Sequence, residues 1–222
     1  MNNTGVSLSG WKLTLPVDAG GDLSGKAQQL RVAAATSPWL VRNADGSLTF
    51  WAPSAGATTP NSRHSRTELV SGSGFAFGAA TRTLAATLEV TQVPVKAPDI
   101  IVGQIHGNGA INSVAFVMVH WRSQSIVVVV KNAMSGSSSQ TSTLLSGVPL
   151  GARFSYAITD DGDGALTVTA TCDGRTNRMN VRVPAVFLGS DVRFQVGDYQ
   201  QATAAVSPAD GGRVTFYSIT AS

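Results

Sequence analysis

The chain has 222 residues, a length that an all-β sandwich fills as one domain, and at that length roughly 70% of the unfolded surface can be buried. Its 16 Lys and Arg stand against 13 Asp and Glu, a formal charge of +3 with only 13% charged residues, too small an excess to point to nucleic acid but enough for a local basic cleft that takes an acidic ligand. No stretch approaches the roughly 18 apolar residues of a membrane span, and "MNNTGVSLSG" has neither the charged start nor the apolar core of a signal peptide, so the chain reads as intracellular or as a mature segment whose leader was removed.

In chain order, β-branched and apolar runs recur: "WKLTLPV", "SLTFWAP", "SRTELV", "TLAATLEVTQV", "DIIVGQIH", "VAFVMVHW", "SIVVVVK", "FSYAIT", "ALTVTATC", "VRFQVGDY" and "RVTFYSIT". Short strands between turn signals predict antiparallel sheets. "NADG", "DDGDG" and "CDGR" each place Asp-Gly between two such runs, which predicts hairpins at 43–46, 160–164 and 172–175. A turn or short helix is expected near "GKAQQL" and another near "VPAVFLG", and no longer helical period competes. "NAMSGSSSQTSTLLSG" is polar but flanked by apolar strands, so it is a loop or an edge strand rather than a linker. The expected fold is one β-sandwich or jelly-roll domain over residues 1–222. "DDGDG" does not have EF-hand spacing, and Cys172, the only cysteine, allows no internal disulfide and reads as a packing residue.

Three of the strands carry hydrogen-bonding side chains on one face. Side chains alternate along a strand, so "SRTELV" sets Arg66 and Glu68 on one face, with Val70, and Thr67 and Leu69 on the other. "IIVGQIH" sets Gln104 with His106 and turns Ile101 and Ile105 toward the apolar layer, while "VRFQVGDYQQ" sets Gln195, Gly197, Tyr199 and Gln201 against Phe194 and Val196. A solvated sheet face would also alternate, but such faces favour Lys, Glu, Thr and Ser. Arg, Gln, His and Tyr are groups that hold a carboxylate and move protons.

"SRTEL", "QIH" and "FQVGDYQQ", in that order, with the opening "WKLTLPV" and the closing "VTFYSI", resemble polysaccharide lyase family 7, the alginate-lyase family. Its pattern is Arg-Ser/Thr-Glu-Leu-Arg, then Gln-Ile/Val-His, then Tyr-Phe-Lys-Ala-Gly-x-Tyr-x-Gln, and the likeness runs from Trp11 to about Ile219. The resemblance implies a β-jelly roll whose concave sheet forms an open groove for a polyuronate, cleaved by β-elimination. It assigns Arg66 and Gln104 to neutralise the uronate carboxylate, His106 to act as base and Tyr199 to protonate the leaving oxygen.

That chemistry needs such residues because the electrons released from C5 must spread onto a group already negative. A fixed guanidinium and a directed amide bind most strongly as that charge develops, and each is worth roughly a hundredfold in rate by analogy with an oxyanion donor. On a guluronate ring, proton and leaving group lie on opposite faces, which suits His106 and Tyr199 as separate groups. On a mannuronate ring they share a face, and Tyr199 then serves as both base and acid.

The family's second Arg is Val70 here and its Lys is Gln195, so two cations are missing, while Arg193, on the parity of Tyr199, is expected to restore one from a shifted position. The expected substrate-binding set is therefore Glu68, Gln195, Gln201, Arg193 and His64, with Glu68 also read as the group that holds the Arg66 guanidinium. His64 is alternatively a loop-end histidine, and His120 an edge or groove-lining residue. These departures leave another polyuronate, such as glucuronan, open beside alginate. A lectin-like jelly roll would use Trp39, Trp51 or Trp121 as sugar platforms, and a glycoside hydrolase would need two facing carboxylates for which the two glutamates, Glu68 and Glu89, offer no defensible spacing. No metal or other cofactor is implied. The expectation is a monomer, secreted or periplasmic, whose partner is an acidic polysaccharide, with no nucleic acid and no membrane.

Overall fold

A period of two buries one side of an extended chain and wets the other, and this is how the chain folds. A computed structural model describes residues 5–222 and shows sixteen strands with two single-turn 3-10 helices. Met1 to Thr4, on which part of the leader reading rests, lie outside the described residues. The strands are β1 (Trp11–Thr14), β2 (Gln29–Leu30), β3 (Leu40–Arg42), β4 (Leu48–Pro53), β5 (Thr67–Ser71), β6 (Phe75–Ala76), β7 (Arg82–Gln92) and β8 (Asp99–Gly107). They continue with β9 (Ala115–Arg122), β10 (Ser125–Lys131), β11 (Ser139–Ser146), β12 (Arg153–Asp160), β13 (Ala165–Cys172), β14 (Arg175–Arg182), β15 (Asp191–Gln200) and β16 (Gly211–Ala221).

Two antiparallel sheets result, and the architecture is a β-jelly roll. One runs β11-β10-β9-β8-β15-β5-β1-β2, with β6 also on β15, and the other runs β14-β13-β12-β7-β16-β4-β3. The late strand β15 is inserted between β8 and β5, and that crossover brings the three polar-faced strands side by side. Leu84, Leu88 and Val90 of β7 meet Phe154 and Ile158 of β12 and the inward side chains of the nine-stranded sheet in one apolar cluster. Burying each of these contributes about 1.5–3 kcal/mol, which pins strand register and hence what the opposite face displays.

The three Asp-Gly segments connect β3 to β4, β12 to β13 and β13 to β14. Asp173 and Gly174 both have positive φ, 49° and 72°, as a two-residue hairpin that follows strand twist requires. "VPAVFLG" forms a 3-10 turn at Ala185–Phe187, whereas "GKAQQL" forms no helix, because Gln29–Leu30 is taken as the edge strand β2 and Lys26 bridges to Thr58. The polar stretch before residue 147 ends in β11, the edge strand on β10. The tryptophans are structural: Trp11 and Trp121 belong to the core, Trp39 packs against it, and Trp51 lies under Arg213.

One parity expectation is corrected. Ile101 does not point into the apolar layer; Ile100 and Val102 do, and Ile101 faces the other way. The register of β8 against β9 shifts between Ile101 and Gly103, which inserts one extra residue and reverses the alternation upstream of Gln104. Tyr156, reaching across from β12, requires it. Its hydroxyl donates to the Val102 carbonyl at 2.8 Å, and a Cβ on Gly103 would overlap its ring. Gly103 thus makes room for a core tyrosine rather than for a ligand.

Candidate active site

On the face of the nine-stranded sheet turned away from the core lies a cavity of about 360 Å³, lined among others by Arg66, Glu68, Gln104, His106, Arg193, Gln195, Tyr199 and Gln201. They come from β5, β8 and β15 and from Arg66 and Gln201 beside them. Ladder register explains the grouping. Gln195 stands opposite both Gln104 and Val70, and Arg193 opposite His106.

Glu68 is the hub. It is fully buried, accepts from Arg66 Nη1 at 3.0 Å through Oε2, and accepts from Gln104 Nε2 at 2.5 Å through Oε1. With its amide oxygen turned to Arg193, Gln195 accepts from Nε and Nη2 at 3.1 Å each and donates to Glu68 Oε2 at 3.2 Å. Arg193 Nη1 also donates to Asn108 at 2.8 Å. Glu68 thus has both carboxylate oxygens engaged by protein partners, the Arg66 guanidinium and the Gln104 and Gln195 amides. Two guanidiniums against one carboxylate leave the cavity wall with one positive charge in excess, the complement of a single carboxylate.

His106 is half-buried, and its Nδ1 lies 3.0 Å from the Gly107 carbonyl. A ring nitrogen facing a carbonyl must carry the proton, so Nε2 is left as the acceptor. Burial brings the His106 pKa down to about 4; the Arg193 and Arg66 guanidiniums push the same way, and the Gly107 hydrogen bond opposes them. The imidazole is consequently neutral at pH 7. Tyr199 carries the guanidinium of Arg66 over its ring, 3.4 Å from the centroid, and its hydroxyl lies 2.8 Å from Ser62 Oγ.

Elsewhere the structure separates what the sequence grouped. His64 is not among the residues that line the cavity: its Nδ1 lies 3.3 Å from the Ala202 carbonyl and its ring packs edge-on against Tyr199, in the loop before β5. Gln201 lines the cavity but its amide nitrogen turns back to the Tyr199 and Gln200 carbonyls. His120 is buried and paired with Asp99 at 2.7 Å, and Asp99 also takes Arg122 at 2.7 Å. Asp198 of the third motif faces Ala52 in the core, where burial pushes its carboxyl well above the usual range. Thr59, Pro60, Asn61, Asn112 and Ser113 complete the wall from loops, where no period marks them in the sequence, and Met118 and Ile101 give it an apolar floor. Among the described residues no cluster of His, Cys, Asp and Glu could hold a metal ion.

A sequence profile described as alginate lyase matches residues 6–222. The chain belongs to the alginate lyase family. It is a polysaccharide lyase, and its substrate is alginate. An alginate lyase from Pseudomonas aeruginosa is 25% identical, with a TM-score of 0.82 over 97% of this chain and 99% of that one. One from Klebsiella pneumoniae is 24% identical, with a TM-score of 0.85 over 99% and 97%. The alginate lyase A1-II′, a member of polysaccharide lyase family 7, is 25% identical, with a TM-score of 0.80 over 99% and 97%. No curated protein sequence matches the chain. Val70 and Gln195, where the chain departs from the family's pattern, both line the cavity, and Arg193 lines it too.

Proposed function

We propose that this alginate lyase works by β-elimination with Arg66 and Gln104 on the uronate carboxylate, His106 as base and Tyr199 as acid. The observation that carries the reading is the neutral His106, whose Nε2 is left as acceptor in a cavity that also holds Arg66, Gln104 and Tyr199. Carboxylate binding at Arg66 and Gln104 disperses the charge that develops when the C5 proton leaves, and it is strongest then. His106 takes that proton, the C5 electrons form the C4–C5 double bond, and the glycosidic O4 leaves with the phenolic proton of Tyr199. Arg193 and Gln195 supply a second anchor for the acidic chain.

An opposite-face geometry of base and acid suits guluronate, and a solved family 7 enzyme has been crystallised in complex with the substrate GGMG. Elimination yields oligomers one water lighter than hydrolysis would. Mass spectrometry of the products tests the reaction class, and a hydrolytic product would overturn it. The enzyme acts as one lyase domain and as a monomer, outside the cytoplasm, where a polymer can reach an open cavity; the single apolar cluster and the length of the family match support the first of these. Among the described residues no helix is long and apolar enough to cross a membrane.

A further inference from the structure

Ser62 lies outside every strand, in the loop whose Thr59, Pro60 and Asn61 help wall the cavity. Its hydroxyl oxygen sits 2.9 Å from the His64 N–H, 3.0 Å from the His64 carbonyl and 2.8 Å from the Tyr199 hydroxyl. A hydroxyl has one hydrogen and two lone pairs. The N–H can only donate and the carbonyl can only accept. At rest Ser62 therefore gives its hydrogen to the carbonyl and receives the phenolic hydrogen of Tyr199. The His64 ring packs edge-on at 6.2 Å against the same tyrosine, so one short segment sets both the position and the proton direction of the phenol.

We infer that Ser62 is a positioning residue for Tyr199, a rotor that turns from the His64 carbonyl to the tyrosine oxygen as that oxygen gives up its proton. The inference rests on the reading of Tyr199 as the acid. In the step, the C5–H bond breaks and its proton goes to His106; the electron pair becomes the C4–C5 double bond; the C4–O4 bond breaks, and O4 takes the Tyr199 proton. The phenolate left behind accepts the Ser62 hydrogen. After product leaves, His106 loses its proton to water and Tyr199 regains one from water. A hydrogen bond to an anionic oxygen is roughly twice as strong as one to a neutral phenol, so the gain arises as charge develops and not in the ground state. Ser62 acts on kcat and leaves KM alone.

Steady-state kinetics on alginate of Ser62→Ala, Ser62→Thr, Tyr199→Phe and the Ser62→Ala/Tyr199→Phe double variant test this. Ser62→Ala is expected to lower kcat about ten- to a hundredfold with KM within about twofold, and Ser62→Thr, which keeps the hydroxyl, to recover most of it. In the Tyr199→Phe background, where no phenolate can form, Ser62→Ala is expected to change nothing further. An unchanged kcat in Ser62→Ala, or the same loss with and without the tyrosine hydroxyl, overturns the proposal while leaving Tyr199 as the acid. Full activity in Tyr199→Phe overturns the reading of Tyr199 and this role of Ser62 with it.

Discussion

The guanidinium of Arg66 lies 3.4 Å from the centroid of the Tyr199 ring while its Nη1 donates to Glu68 at 3.0 Å. One flat cation thus packs on the proposed acid and is held by a buried carboxylate. A lysine ammonium can pair with Glu68 or sit near the ring, but as a compact point charge it lacks the flat guanidinium that makes both contacts at once. Arg66→Lys is expected to lower kcat about a hundredfold or more, with a smaller rise in KM, in steady-state assays on alginate.

Glu68 joins three donors in a space closed to water. Glu68→Gln keeps the shape but leaves the buried Arg66 without its counter-charge. Unfolding in urea is expected to show a loss of about 3 kcal/mol, and activity should fall because one of the two oxygens that aim Arg66 and Gln104 becomes an amide nitrogen that cannot accept from them. Unchanged stability would mean that the network is ornamental.

As the proposed base, His106 is expected to set the acid limb of the pH profile. Its pKa in the fold is about 4, below the ordinary 6.5, so the neutral base persists well below pH 6. The same depression stabilises the fold fully above pH 6.5, and that contribution is lost as pH falls through about 4. The kcat/KM profile is expected to hold down to near pH 4 to 5 and not to break at 6.5; a break at 6.5 that disappears in His106→Ala would contradict the burial argument.

Arg193 stands opposite His106 in the ladder and is fixed by Gln195 and Asn108. Removing it deletes a cation from the cavity and exposes the imidazole. Arg193→Ala is therefore expected to raise KM and flatten its dependence on salt, and to move the acid limb upward, since both changes favour protonated His106. A KM with unaltered salt dependence would remove Arg193 from the substrate-binding set.

Much of this site was legible in strand alternation, because Gln104 with His106 and Arg66 with Glu68 sit in segments whose other face is pinned in the core. Alternation failed at Ile101, where the extra residue Val102 accommodates Tyr156, a side chain 54 residues further along from Val102 that no local pattern announces. It is silent on His64, which lies before β5 in a loop, as the loop-end reading has it. Ser62 and the wall residues of the loops were illegible for a related reason: a loop has no period, and its members are brought to the cavity only by what the sheets place beneath them. The family's missing cations, by contrast, were visible as Val70 and Gln195, and the ladder places Arg193 opposite His106.

On the proposed mechanism alginate is cleaved by elimination through His106 and Tyr199, and the ultraviolet absorbance of the conjugated unsaturated uronate reports the new double bond directly. Initial rates on alginate should rise with the unsubstituted enzyme and fall by about a hundredfold or more in both His106→Ala and Tyr199→Phe, each still folded. An absorbance rise that survives either substitution at the full rate would contradict the account.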